Sequence, residues 1–196
     1  MRKSSIILIL AIVLFFSGCG TINPDNDVNQ NNTAPSYAPK KTVYDEKIGE
    51  FETNIIDKQA NRVNNVKLAC DAINAQVLQP GQEFSFNDTV GARTAERGYK
   101  EASIIVDGKK EKGIGGGICQ VSTTLYNAAM DADLEILERH EHSKKVAYVA
   151  EGLDATVTSK LDLRIKNPHD FPVKFEVSTD GDFVTVVVYK DLPNEQ

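Results

Sequence analysis

Histidine and cysteine are scarce in this chain, three of each in 196 residues. No Cys-x-x-Cys pair and no His-Glu-x-x-His element occurs, so the common zinc frameworks lack support at the level of motif. Long apolar runs are scarce too. The longest, Ile6 to Phe16, has 11 residues, well short of the roughly 20 that a helix needs to span a bilayer. Positive charge is in deficit: 22 Lys and Arg stand against 28 Asp and Glu, a net charge of −6. No basic patch interleaved with aromatics is present, and nucleic acid is set aside as a partner. The one lysine-dense segment, Lys109-Lys110-Glu111-Lys112, includes an acid and reads as solvated surface.

What is present begins with export. Arg2 and Lys3 precede the apolar run, which has the length of a signal h-region. Phe16-Ser17-Gly18-Cys19 follows directly and has the small-small-Cys form of a bacterial lipobox, with Phe where Leu is usual. Residues 1–18 are therefore expected to be a lipoprotein signal, and Cys19 the lipid-bearing first residue on the outer face of the cell membrane. Removing Arg2 and Lys3 leaves 20 basic against 28 acidic residues, a charge of −8. Residues 19–41, rich in Asn, Asp and Pro, cannot build a core and suit a flexible tether. Residues 42–190 are expected to form a single domain, and 191–196 a short tail.

Within that domain the patterns alternate between two periods. Ile48–Ile56 suits a strand. Asn61–Leu78 places apolar residues 63, 66, 69, 70, 73 and 77 on one helical face. Gln79-Pro80-Gly81 ends that helix, and Glu83–Phe86 is a short strand before a loop at Asn87-Asp88. Thr94–Tyr99 forms a helical turn closed by Gly98, and a hairpin is centred on Asp107-Gly108. A second helix starts at Cys119 or Gln120 and runs to Met130. Leu134–Leu137, the stretch from Asp154, and three C-terminal runs (161–167, 171–178 and 182–190) read as strands. The fold class is α+β, two main helices packed on an antiparallel sheet.

The chemistry is sought where glycines meet a cysteine: Gly113-Ile114-Gly115-Gly116-Gly117-Ile118-Cys119-Gln120. A cysteine at a helix start faces unpaired N–H groups and the positive end of the helix, which favour thiolate. Gly115, Gly116 and Gly117 leave room for a bound backbone, and their N–H groups, with the Gln120 amide, are candidate oxyanion donors. Otherwise the glycines form a tight bend and Cys119 is a small core residue. His140 and His142, two apart at a strand end, are the candidate bases. His142 is preferred because Ser143 and the loop beyond suggest a more open setting. Asp154 is the candidate that orients the imidazole, in the order Cys, His, Asp. Arg139 is a candidate contact for a substrate carboxylate. A competing zinc site would use Cys119, His140, His142 and Asp154; no metal or other cofactor is assigned. Cys70, among the apolar residues of the first helix, suits a small buried thiol, although a bridge to Cys119 stays open.

Residues from about Phe51 to Phe175 resemble the VanW-like domain of bacterial exported and lipid-anchored proteins. The resemblance rests on Pro80-Gly81 through Asn87, Thr94 through Gly98-Tyr99, and Gly115-Gly116-Gly117 through Cys119-Gln120-Val121-Ser122-Thr123-Thr124-Leu125-Tyr126-Asn127. Glu138-Arg139-His140, His142-Ser143 and Asp154-Ala155-Thr156-Val157 complete it. Ala150 stands where the family usually has Pro, and Leu153 where a polar residue commonly precedes the Asp. The resemblance implies the cell envelope, with a wall polymer such as peptidoglycan or an envelope peptide as partner. It does not name a reaction. Two readings follow: a cysteine-dependent hydrolase or acyl transferase acting on an envelope amide in a papain- or transglutaminase-like arrangement, or a non-catalytic module that binds through the glycine cleft.

Overall fold

The three C-terminal apolar runs do not share one sheet. The structure, a computed structural model, describes residues 46–106 and 109–190. The expected signal, Cys19, the tether, the Asp107-Gly108 turn and the tail lie outside the described residues. Strands β1 (Glu46–Asn54), β2 (Val77–Leu78), β8 (Val173–Thr179) and β9 (Phe183–Lys190) form an antiparallel sheet in the order β1-β9-β8-β2. A second antiparallel sheet has the order β3-β7-β6, from β3 (Glu83–Ser85), β6 (Glu135–Glu138) and β7 (Arg164–Lys166). A hairpin of β4 (Glu101–Val106) and β5 (Lys109–Ile114) stands as a separate ribbon.

The first sheet holds together because its strands alternate. Val173, Phe175 and Val177 of β8, with Val184, Val186 and Val188 of β9, are buried; each such side chain contributes about 1.5–3 kcal/mol on leaving water. The β8–β9 turn is stapled by Asp180, whose carboxylate accepts the N–H groups of Asp182 and Phe183, both at 2.8 Å. Helix α1 (Ala60–Ile73) packs on β8, and helix α3 (Ile118–Asp131) packs on β1 and β9. The class is thus α+β with antiparallel sheets. There is a third, short helix, α2 (Phe86–Val90), where a loop is expected. The Ser85 hydroxyl caps it by accepting the Asp88 N–H at 3.1 Å.

Two further expectations need correction. The first helix ends at Ile73, not Leu78. Beyond it the chain turns to pair with β8: Ala75 N–H donates to the Phe175 carbonyl at 2.9 Å, and the Asn74 side chain accepts the Val177 N–H at 3.0 Å. Val77 therefore continues the helical spacing by coincidence. The stretch from Asp154 is not a strand. It trades sheet partners for side chains of α3, and that exchange builds the site.

Candidate functional site

Helix α3 is buried on nearly every side, with Ile118 and all residues from Gln120 to Ala129 hidden. Five of these are polar, which is affordable only because each finds a partner. Gln120 donates to Thr53 Oγ1 at 3.0 Å and to the Asn54 carbonyl at 2.9 Å, and Thr124 meets Thr53 at 2.8 Å, so this side is tied to β1. The other side grips residues 153–155. Asn127 donates to the Leu153 carbonyl at 2.7 Å. Ser122 and Thr123 donate to the Ala155 carbonyl at 2.7 and 3.2 Å, and the Ala155 N–H returns a bond to Thr123 at 3.0 Å.

That clamp brings Asp154 and Thr156 to the first turn of α3, where Cys119 sits half-buried. The sulfur lies 3.5 Å from Thr156 Oγ1 and 3.4 Å from the Val157 carbonyl. The His142 ring is close enough to the same sulfur to interact with it electrostatically. His142 Nδ1 lies 2.6 Å from Asp154 Oδ2, and its backbone N–H donates to that oxygen at 2.7 Å. Asp154 is in turn held by Arg139, which donates to its carbonyl from Nε at 2.7 Å and to Oδ1 from Nη2 at 3.4 Å.

The electrostatics are internally consistent. Burial, the largest influence on Cys119, pushes the thiol up; hydrogen bonds from His142 and Thr156 outweigh it and leave the sulfur below its ordinary value. Burial also opposes charge on His142, yet the sulfur and the Asp154 carboxylate raise its basicity. Burial likewise works against the Asp154 carboxylate, and the bonds from His142 hold it below the ordinary carboxylate range. The three groups favour a thiolate beside an imidazolium. Cys70 is the counterexample in the same chain: 1% exposed, its thiol is raised by burial to about 12. Both cysteines are free, so no bridge joins them.

The remaining candidates separate. His140 does not join the group: its ring meets Glu138 at 2.9 Å, while its backbone carbonyl accepts the Thr156 N–H at 2.8 Å. Two residues apart does not mean one side here, because β6 has ended at Glu138 and residues 139–163 are irregular. The four-ligand zinc set is accordingly not assembled, and among the described residues no group of three metal-binding side chains occurs. Gln120 turns inward and has no donor left for an oxyanion. Arg139 also donates to the Gly152 carbonyl at 2.9 Å and pairs with Glu141, so it braces the loop carrying Asp154.

The glycines face protein. A Cβ on Gly116 would sit 2.5 Å from the Ser103 carbonyl oxygen, and one on Gly117 3.0 Å from side-chain carbons of Arg62 and Val66. Gly115 and Gly117 also adopt φ of 88° and 110°, which L side chains rarely enter. Close packing and backbone sign account for all three. A surface cavity of about 200 Å³ borders His142, Asp154 and the 143–152 loop, but Cys119 is not among its walls. We do not assign it to substrate.

Residue types alone gave no reason to select Thr156 or Tyr148. Tyr148 lies near both Cys119 and Thr123, and burial raises its phenol strongly. The signal that could have found Thr156 is its place two residues after Asp154, on a segment held against the helix.

The family model described as VanW like protein matches residues 61–189. The chain is 39% identical over 145 residues to an uncharacterized protein of Bacillus subtilis, YoaR, covering 74% of this chain and 48% of that one. It is 30% identical over 139 residues to the vancomycin B-type resistance protein VanW of Enterococcus faecalis, covering 68% of this chain and 50% of that one. The chain thus spans about half the length of the curated relatives it matches. No solved structure matches. With the matched region holding α3, His142 and residues 153–157, this chain belongs to the VanW-like family.

Proposed function

We propose that this protein is a cysteine-dependent acyl transferase or hydrolase of the cell envelope, acting on an amide of peptidoglycan or a related wall peptide. It works at the outer face of the membrane, held there by lipid on Cys19. One observation carries the reading: the His142 ring is held by the Asp154 carboxylate at 2.6 Å and lies close enough to the Cys119 sulfur to act on it electrostatically. Papain-like enzymes use that sequence of roles, and the likeness is one of arrangement, not of fold. The name of the E. faecalis relative, a vancomycin B-type resistance protein, supports the envelope as the setting.

The chemistry follows from the geometry. The Cys119 thiolate attacks the amide carbonyl carbon, forming a C–S bond and an oxyanion. The Ile118 and Gln120 N–H groups already donate to the Gly115 and Gly117 carbonyls, so an oxyanion donor from this turn would be the Cys119 N–H. As the C–N bond breaks, the His142 imidazolium gives its proton to the leaving amine. A thioester remains on Cys119. Water or a second amine then attacks the thioester, His142 takes the proton from that nucleophile, and the thiolate leaves. Asp154 holds the ring in position through both halves.

Two measurements test this. Iodoacetamide applied to the folded, reduced protein is expected to label Cys119 at least about a hundredfold faster than Cys70, given the opposed shifts of the two thiols. Incubation with wall stem peptides is expected to give a mass adduct on Cys119 that hydroxylamine removes. Equal, slow labelling of both cysteines would overturn the reading. So would a C119S variant that keeps full function, the result expected of a binding module.

A further inference from the structure

Two guanidinium groups that make no ion pair among the described residues flank the glycine turn. Arg93 packs its stem on the Gly115 side of the turn, where a Cβ on Gly115 would lie 3.2 Å from Arg93 Cβ. Its head stacks over the Phe86 ring at 5.8 Å and donates to Asn87 Oδ1 at 2.6 Å and to the Gly91 carbonyl at 3.2 Å. Among the described residues it makes no ion pair. The carboxylate that acts on it, Asp162, is occupied by Ser85 Oγ and the Asn87 N–H at 2.5 and 2.9 Å. The Cys119 sulfur is close enough to interact with it electrostatically.

Arg62 lies on the Gly117 side. One terminal nitrogen donates to Gln120 Oε1 at 3.2 Å, and its Nε is buried with no partner. An unsatisfied buried donor is uncommon and calls for an acceptor that the described residues do not supply. Two half-buried cations fixed by neutral acceptors, one with an orphaned N–H, differ from ordinary surface arginines. Elsewhere in this chain Arg139 and Arg164 have carboxylates to hand.

We propose that Arg93 and Arg62 form a carboxylate-recognition subsite, so that the preferred acyl donor carries an anionic carboxylate close to the carbonyl attacked by Cys119. The planar guanidinium fork matches a carboxylate bidentately, which favours that anion over a point contact. The subsite rests on the thiolate reading above, because it is defined relative to the reacting sulfur.

A pair of alkylating reagents tests it without the natural substrate. Iodoacetate and iodoacetamide deliver the same carbon to a thiolate but differ in carrying a carboxylate or a neutral amide. The ratio of their rate constants at Cys119, iodoacetate over iodoacetamide, is expected to exceed that for glutathione by roughly tenfold, the size of one charge-assisted contact. R93Q and, separately, R62Q should each bring the ratio toward the glutathione value. R97Q, which removes an exposed charge nearby, should not. The ratio cancels any change in thiolate content, so a role for Arg93 limited to stabilising the sulfur would slow both reagents together and leave the ratio intact. That result overturns the subsite. A fast wild-type sulfur that treats the two reagents as glutathione does also removes the subsite while the thiolate stands. Slow reaction with both reagents in the wild type sinks the thiolate and the subsite with it.

Discussion

A single carboxylate oxygen of Asp154 accepts two bonds from His142, the backbone N–H at 2.7 Å and the ring Nδ1 at 2.6 Å. The residue that orients the imidazole therefore also fixes the backbone beneath it. Rotation of the ring would break the Nδ1 bond while the backbone bond held, so Asp154 opposes that rotation.

The pH dependence of Cys119 alkylation should show this coupling. With the sulfur held below the ordinary thiol value of 9.0, the rate should reach half its maximum below that pH. Replacing His142 with alanine removes the bond and the charge that favour thiolate but leaves burial, which raises the thiol. The midpoint should then move to higher pH, and the rate at pH 7 should fall by at least about tenfold. An unchanged profile would remove His142 from the site.

Asp154→Asn should reduce thiolate content less than loss of the ring does, but it should also alter stability in acid. A carboxylate held below its ordinary value contributes stability above the unfolded-state value near 3.8, and that contribution is lost as pH falls through the folded-state value. D154N should therefore be less stable than wild type at neutral pH, with the difference shrinking below about pH 4. Urea titrations at pH 7 and pH 3 measure both ends.

His140→Asn separates the two histidines. The His140 ring is engaged with Glu138, and only its backbone carbonyl touches the Thr156 segment. The labelling rate of Cys119 should stay within about twofold of wild type, since no charge next to the sulfur changes. A loss like that of the His142 variant would mean the wrong imidazole has been assigned.

Asn127→Ala and Ser122→Ala loosen the clamp without touching the reacting groups. Asn127→Ala takes the side-chain donor from the Leu153 carbonyl, costing about 1–3 kcal/mol, and Ser122→Ala, which leaves Thr123 on the Ala155 carbonyl, costs less; Tm falls by roughly 2–4 °C per kcal/mol in a domain of this size. Cys119 should lose reactivity as well, because Asp154 and Thr156 are placed by that grip. Calorimetry paired with labelling tests whether the two losses occur together.

Gly116→Ala should destabilise more than either. Its added carbon would meet the Ser103 carbonyl oxygen at 2.5 Å and the Ala102 side chain at 3.0 Å, and overpacking of this kind costs about 1–3 kcal/mol or more. Soluble, fully stable G116A protein would contradict the packing role.

Much of this was legible along the chain. The helix start at the glycines, the alternating strands β8 and β9, the Gly98 turn and the α+β class follow from period and turn chemistry, which are local. Cys119, His142 and Asp154 could be named from residue type and order. The choice between His140 and His142 could not be made securely, because both stand beyond the end of a strand, where alternation no longer governs direction. Apolar spacing predicts a first helix that ends five residues beyond the observed end, because Val77 keeps the period while its backbone pairs with β8. The polar face of α3 carries no periodic signal of its purpose: Ser122, Thr123 and Asn127 look like a solvated helix side until residues 153–155 are laid against them.

The sequence by itself determined which side chains are available for chemistry and that a glycine turn delivers a sulfur to a helix end, since both depend on covalent order and local conformation. Tertiary structure alone decided which imidazole lies near that sulfur, that the glycines face packed protein, and that Arg62 and Arg93 flank the turn without an ion-pair partner among the described residues. Those outcomes depend on contacts between residues tens of positions apart, where burial and hydrogen-bond satisfaction select one partner among several that the chain offers.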